Sequence, residues 1–253
     1  MRKETDNFAK SDIFEGMVSF RALVKSGKRK IEKVLVSEEK KNNRQKELSY
    51  IKAMSHELGF ELSFVSEEKI ESIALGNSHG GIITLCGKRE LPALCANDIK
   101  ENGFYVMIEG IEDPYNFGYA MRSLYAAGAD GIVLCPRNWM EAAGVVCRAS
   151  AGASELFDVF VSSGEDAAKI FKKAGYTVAA ADTRDSASLF DCDIKKPLFL
   201  IVGGEKRGIS RSLLSLCDIS LKIDYARDCG FSLSAASAAT VMAFEIMRKN
   251  RGK

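Results

Sequence analysis

Two stretches of this 253-residue chain carry residue types that could do chemistry at the end of a strand. In the first, Ile201-Val202-Gly203-Gly204-Glu205 is followed by Gly208-Ile209-Ser210. The residues from Pro197 to Val202 run apolar without alternation, which predicts a strand buried on both faces. The glycines after it free the backbone to take positive φ and to approach a ligand closely. Glu205 stands just ahead of the short pattern Ile209, Leu213, Leu214, so its carboxylate falls at a helix N-terminus, as a cap or as a ligand contact. A second strand, Ile219 to Ile223, leads through Arg227, Asp228 and Gly230 to Ser232-Leu233-Ser234-Ala235-Ala236-Ser237-Ala238-Ala239, whose small side chains let a helix pack its backbone tightly. The second stretch follows the strand Tyr105 to Ile108 and reads Glu112-Asp113-Pro114-Tyr115-Asn116-Phe117-Gly118, with Arg122 beyond it. Asn116 can cap the next helix, and Arg122 projects from its first part, either into solvent or toward the strand ends.

The elements that position these residues alternate in type. Strands at Gly131 to Leu134, Phe157 to Val161 and Tyr176 to Ala181, with a helix from Asp166 to Ala174, predict a parallel sheet covered on both faces. Open sheets of this kind bind ligands beyond the carboxyl ends of their strands, so a nucleotide-type cofactor is expected there. Its identity is left open, because neither a G-x-G-x-x-G after the first strand nor a P-loop occurs. Between Ala142 and Gly152, Arg148, Ser150 and Gly152 stand out without an assigned role.

Before residue 88 the chain reads as a smaller α/β module. Met1 to Asp12 is a polar arm. A helix from Gly16 precedes the strand Val34 to Val36, and a second helix with Leu48, Ile51, Met54 and Leu58 ends at Gly59. Phe60, Leu62 and Phe64 alternate as a half-buried strand, and Glu67 to Leu75 and Gly81 to Cys86 supply a helix and a strand. Arg21, Lys28, Arg29 and Lys30 form one basic group and Lys40, Lys41, Arg44 and Lys46 another, either solvated or in contact with phosphates. His79 reads as a structural or surface histidine. The segment 89–103, with Pro92 and Gly103, reads as a linker to a second domain at 104–253.

Composition narrows the classes. The net charge is +2, so nucleic-acid binding must come from local patches. Seven cysteines without a C-x-x-C pair, and two histidines, do not form a zinc pattern. The odd cysteine count and the lack of a signal peptide point to a reducing cytoplasm, and no apolar run reaches the ~18 residues of a membrane span.

Taken together and in order, Glu112 to Gly118 with Arg122, Ile201 to Glu205 with Gly208 to Ser210, and Ser232 to Ser234 with Ala238-Ala239 resemble the three motifs of the SpoU (TrmH) family of RNA 2′-O-ribose methyltransferases, of the SPOUT superfamily. Residues 14 to 88 resemble the substrate-binding domain that many members carry. The resemblance implies an α/β fold with a C-terminal trefoil knot, a homodimer, and S-adenosylmethionine as methyl donor. It assigns the cofactor to Gly203, Gly204, Gly208, Ile223 and Leu233, catalysis to Arg122 with Asn116, Glu205 and Ser232, and RNA to the N-terminal domain, with ribosomal RNA favoured over transfer RNA. Two positions depart from the pattern, which has asparagine where this chain has Gly204 and Ser234. The departures point to a divergent subfamily; the alternative is a non-catalytic RNA-binding or assembly protein that keeps the fold.

Overall fold

The computed structural model describes residues 11–40, 44–111, 113–135, 142–183, 185–204, 208–228 and 230–252. These fall into two compact units. Unit 1 comprises Met1–Glu90 with Trp139–Leu156, and unit 2 comprises Leu91–Asn138 with Phe157–Lys253.

Unit 1 begins with β1 (Asp12–Glu15), a strand in what the sequence suggests is the end of a polar arm. Helix α1 (Gly16–Ser26) ends where Gly27 turns left-handed at φ +61° and its N–H bonds to Leu23 O. Then come β2 (Ile31–Ser37), α2 (Gln45–Leu58), β3 (Glu61–Val65), α3 (Glu67–Ile73) and β4 (Ile82–Cys86). The sheet order is β1-β4-β2-β3, with only β2 and β3 parallel. Strand alternation sends Val34 and Val36 to a core with Phe14, Phe20, Leu23 and Ile51, while Leu35 meets Ile70, Ile83 and Leu85 on the opposite face. Helices α4 (Ala143–Ala149) and α5 (Ala153–Leu156) complete unit 1 from far along the chain. Cys147 enters the first core, and Gly144 sits so close to β1 that a Cβ there would lie 1.8 Å from Ile13 O.

Unit 2 contains β5 (Phe104–Ile108), α6 (Pro114–Ala126), β6 (Gly131–Leu134), β7 (Asp158–Val161), α7 (Gly164–Lys173), β8 (Thr177–Ala181), the short β9 (Ala187–Ser188), β10 (Leu198–Val202), α8 (Arg211–Leu214), β11 (Ile219–Lys222) and α9 (Ala235–Lys249). Its sheet runs β7-β6-β5-β10-β8-β11-β9, and every pairing is parallel. All five residues of β10 are buried, as the uninterrupted apolar run requires of a central strand. Phe171 of α7 stacks on Phe199 with ring centroids 4.1 Å apart, covering one face. Helices α6 and α9 pack on each other, and α9 also meets β10. Among the described residues no helix is long and apolar enough to cross a membrane.

Candidate functional site

The register of the parallel sheet aligns the strand ends: Val202 pairs with both Ile108 and Ala181, and Leu221 with Ala181. The loops after β5, β8, β10 and β11 therefore leave from one edge. There the last three of these enclose a cavity of about 430 Å³, within the ~300–1,000 Å³ typical of small-molecule sites. The end of β8 contributes Ala181, Asp182 and Thr183; β10 contributes Val202, Gly203, Gly204 and Gly208; β11 contributes Leu221 to Ile223 and Tyr225. Ser232 and Leu233, with Ala235, Ala238 and Met242 of α9, close the other side.

The glycine loop folds back on itself. Gly208 N–H donates to Gly204 O at 3.0 Å, Gly208 has φ +60°, and a Cβ on Gly203 would come within 2.7 Å of Gly208 carbonyl carbon. Gly204 also faces the β5 loop, where a Cβ would lie 2.6 Å from the carbonyl carbon and oxygen of Gly110. Across the cavity, Tyr225 Oη accepts the Leu233 N–H at 2.9 Å, tying together the two ends of the loop between β11 and α9. Ser234 is the N-cap of α9: its hydroxyl accepts the Ser237 N–H at 3.2 Å and donates to Ser237 Oγ.

Gly203, Gly204, Gly208, Ile223 and Leu233 thus share one cavity, and Ser232 joins them. Asn116 and Arg122 do not line it. The N-cap of α6 is Asp113, whose carboxylate accepts the Tyr115 N–H at 3.0 Å, and Asn116 lies half-buried in the first turn. Arg122 is exposed on the same helix, with no ion-pair partner among the described residues. Glu205 and Lys41 lie outside the described residues. Tyr225, Asp182 and Met242 line the cavity without having been singled out from the sequence; Asp182 directly follows the apolar run of β8, a position that signals a strand end.

The basic residues of unit 1 separate. Arg21 is exposed, with its guanidinium 5.7 Å from the Tyr50 ring centroid, and Lys30 is exposed. Lys28 is half-buried and its Nζ donates to Leu156 O at 3.4 Å. Arg44 pairs with Glu47 at 3.0 Å. Arg29, expected from the sequence among the RNA-binding residues, is turned inward: its side chain is 6% exposed, with Nη1 2.6 Å from Asp12 Oδ2 and Nε 2.8 Å from Glu155 Oε2. Burial opposes its charge, and the two carboxylates outweigh that and raise its pKa. Arg148 pairs with Glu15, which also accepts the Leu75 and Gly76 N–H groups.

Comparison with known proteins also divides the chain in two, with residues 139–156 of unit 1 falling in the C-terminal of the two matches. A family model described as the SpoU rRNA Methylase family matches residues 103–244, and one described as RNA 2′-O ribose methyltransferase substrate binding matches residues 13–92. YacO of Bacillus subtilis, assigned to the TrmH family of tRNA/rRNA methyltransferases, is 29% identical over 76% of this chain and 78% of its own length. The 23S rRNA (guanosine-2′-O-)-methyltransferase RlmB of Shewanella oneidensis is 24% identical over 96% of this chain and 99% of its own. The crystal structure of an AdoMet-bound rRNA methyltransferase from Sinorhizobium meliloti superposes with a TM-score of 0.79 at 24% identity, covering 98% of this chain and 90% of that one, and so shares the fold.

Proposed function

Since the chain belongs to the SpoU rRNA methylase family, we propose that it transfers a methyl group from S-adenosylmethionine to a ribose 2′-hydroxyl of RNA, ribosomal RNA before transfer RNA. The observation that carries this reading is the cavity at the aligned ends of β8, β10 and β11, which gathers every residue the family resemblance assigns to the cofactor. The lining fits an adenosyl group: Val202, Leu221, Ile223, Leu233 and Met242 offer apolar walls, Ala235 and Ala238 leave room, and the glycine loop offers backbone hydrogen-bonding groups. S-adenosylmethionine bound there supplies a methyl group on a positively charged sulfur.

The chain's own residues must then hold the hydroxyl in line and manage its proton. Orientation of this kind contributes on the order of 7–11 kcal/mol in favourable cases. Arg122, a permanent cation, is a poor base; it anchors the adjacent phosphate and stabilises negative charge developing on the attacking oxygen. Ser232, on the cavity wall, and Asn116 and Glu205 orient the ribose and Arg122. The proposal includes RNA binding by residues 13–92, a trefoil knot and a homodimer, all implied by the family. The central placing of β10 between β5 and β8, with its following loop folded back, supports the knot. Exposed Tyr119 and Phe244 on the packed helices α6 and α9 support the dimer.

Calorimetric titration with S-adenosylmethionine, followed by transfer of a labelled methyl group to unmodified ribosomal and transfer RNA, tests the reading. Cofactor binding with transfer is expected. Absence of binding at millimolar cofactor overturns it and leaves the non-catalytic RNA-binding alternative.

A further inference from the structure

We propose that Tyr225 is a positioning residue for the adenine of S-adenosylmethionine, its hydroxyl fixing one wall of the cavity in unit 2 and its ring forming part of that wall. This rests on the reading of the chain as a methyltransferase.

The walls of the cavity are held in different ways. On the β10 side the glycine loop is fixed by its own backbone, through the Gly208 N–H to Gly204 O bond and the close approach to Gly110. The ends of β8 and β11 are tied by the Asp182 N–H, which donates to Leu221 O at 3.1 Å. The wall between β11 and α9 is built otherwise. Residues 224–228 and 230–233 form neither helix nor strand, and every one of them is exposed. Burial therefore contributes little to holding this segment, yet Tyr225, Ser232 and Leu233 line the cavity from it.

Tyr225 closes the segment. Its Oη accepts the Leu233 N–H at 2.9 Å, eight residues along the chain, and brings the first and last of these lining residues together. An irregular segment of this length samples many conformations, and the bond removes part of that freedom before a ligand arrives, which is the gain of preorganisation. The ring serves the ligand directly. Tyr225 and Leu233 are 40% and 38% exposed, so both present apolar surface to water at the cavity, as ligand-binding surfaces do. With Ile223 they make this wall apolar and, at Tyr225, flat, which suits a purine, since aromatic rings gain from stacking beyond the area they bury. Asp182 and Thr183 make the β8 side the polar one, the better match for the charged methionine portion.

The test uses the full chain, with S-adenosylhomocysteine and adenosine as calorimetric probes and hydrogen exchange read at the Leu233 amide. Tyr225→Phe keeps the ring and removes the hydroxyl; the amide should exchange faster and both probes should bind roughly fivefold more weakly, the scale of one hydrogen bond. Tyr225→Ala also removes the ring and should cost roughly a further fivefold, the scale of an aromatic contact. Melting temperatures should stay near wild type, because the side chain is exposed. Should Tyr225→Ala melt early, Tyr225→Phe, of the same shape, carries the test. In methyl transfer to ribosomal RNA both variants should raise KM for S-adenosylmethionine and leave kcat within about twofold of wild type. Unchanged affinity in Tyr225→Phe, equal affinity in two folded variants, or a loss confined to kcat overturns the proposal. Any of these beside normal wild-type binding sinks the role of Tyr225 alone, whereas a wild type that does not bind S-adenosylmethionine sinks the methyltransferase reading and this proposal with it.

Discussion

The backbones of Gly110 and Gly204 touch. A Cβ on Gly204 would lie 2.6 Å from the Gly110 carbonyl, and one on Gly110, whose φ is +84°, would lie 3.1 Å from Gly204 Cα. The loops after the adjacent strands β5 and β10 are therefore in contact at the rim of the cavity. This contact accounts for one departure from the family pattern, because the asparagine of that pattern has no room at position 204 with the two loops this close.

Gly204→Asn should accordingly destabilise the protein by about 1–3 kcal/mol, the usual cost of overpacking, and weaken S-adenosylmethionine binding. Thermal denaturation and calorimetry check this. A variant as stable as wild type would show that the β5 loop moves aside freely.

Arg122→Ala should slow methyl transfer by a few hundredfold, equivalent to ~3–4 kcal/mol of transition-state stabilisation. Cofactor affinity should hold, since Arg122 lies outside the cavity lining. Single-turnover kinetics at saturating S-adenosylmethionine separates this from a surface residue, whose loss costs under ~0.5 kcal/mol.

Neighbours Arg29 and Lys30 should behave oppositely. Arg29→Ala strands Asp12 and Glu155 in a buried site and should cost about 3–5 kcal/mol in stability. Lys30→Glu with Arg21→Glu, both exposed, should leave the melting temperature near wild type and lower both RNA affinity and its salt slope. An unchanged salt slope would return these two residues to ordinary solvation.

Asp218 gives a dependence on pH. Burial tends to raise its pKa, but Lys172 at 2.7 Å and the Val178 N–H at 2.8 Å outweigh that, so the folded-state pKa is lowered. A lowered pKa in the folded state means stability that is present above the unfolded-state value, ~3.9, and lost as pH falls through the folded one. The melting temperature of wild type should exceed that of Asp218→Asn at neutral pH, and the gap should narrow below pH ~4. A gap that widens in acid would reverse the assignment.

Much of unit 2 is legible in the sequence because its strands are continuous apolar runs ended by glycine or acidic residues. Leu198 to Val202 and Tyr105 to Ile108 declare themselves this way, and the aligned strand ends follow from the alternation of strands and helices. β1 is not legible, since Asp12 to Glu15 offers only Ile13 and Phe14 as apolar residues and takes its identity from pairing with Ile83 to Cys86. Arg29 could not be told from Lys28 and Lys30 either. Charge is visible in a sequence, but the carboxylate that buries it, Glu155, stands 126 residues away. Nothing in the stretch from Ala142 to Gly152 likewise shows that it forms a helix over 143–149 and completes the core of unit 1.

That composite core sets an order in time. During synthesis the first ninety or so residues emerge with Glu15 and Arg29 already placed to be buried, yet their partners Arg148 and Glu155 follow only 133 and 126 residues later. Domains made from one continuous stretch can finish folding as they leave the ribosome, N-terminal first. Here the N-terminal sheet must wait, with its charges open to water, until β5, α6 and β6 of the larger sheet have been made. A fragment ending at residue 90 should therefore be poorly folded, and limited proteolysis of nascent chains stalled before and after Leu156 should show protection of the first unit only in the longer ones.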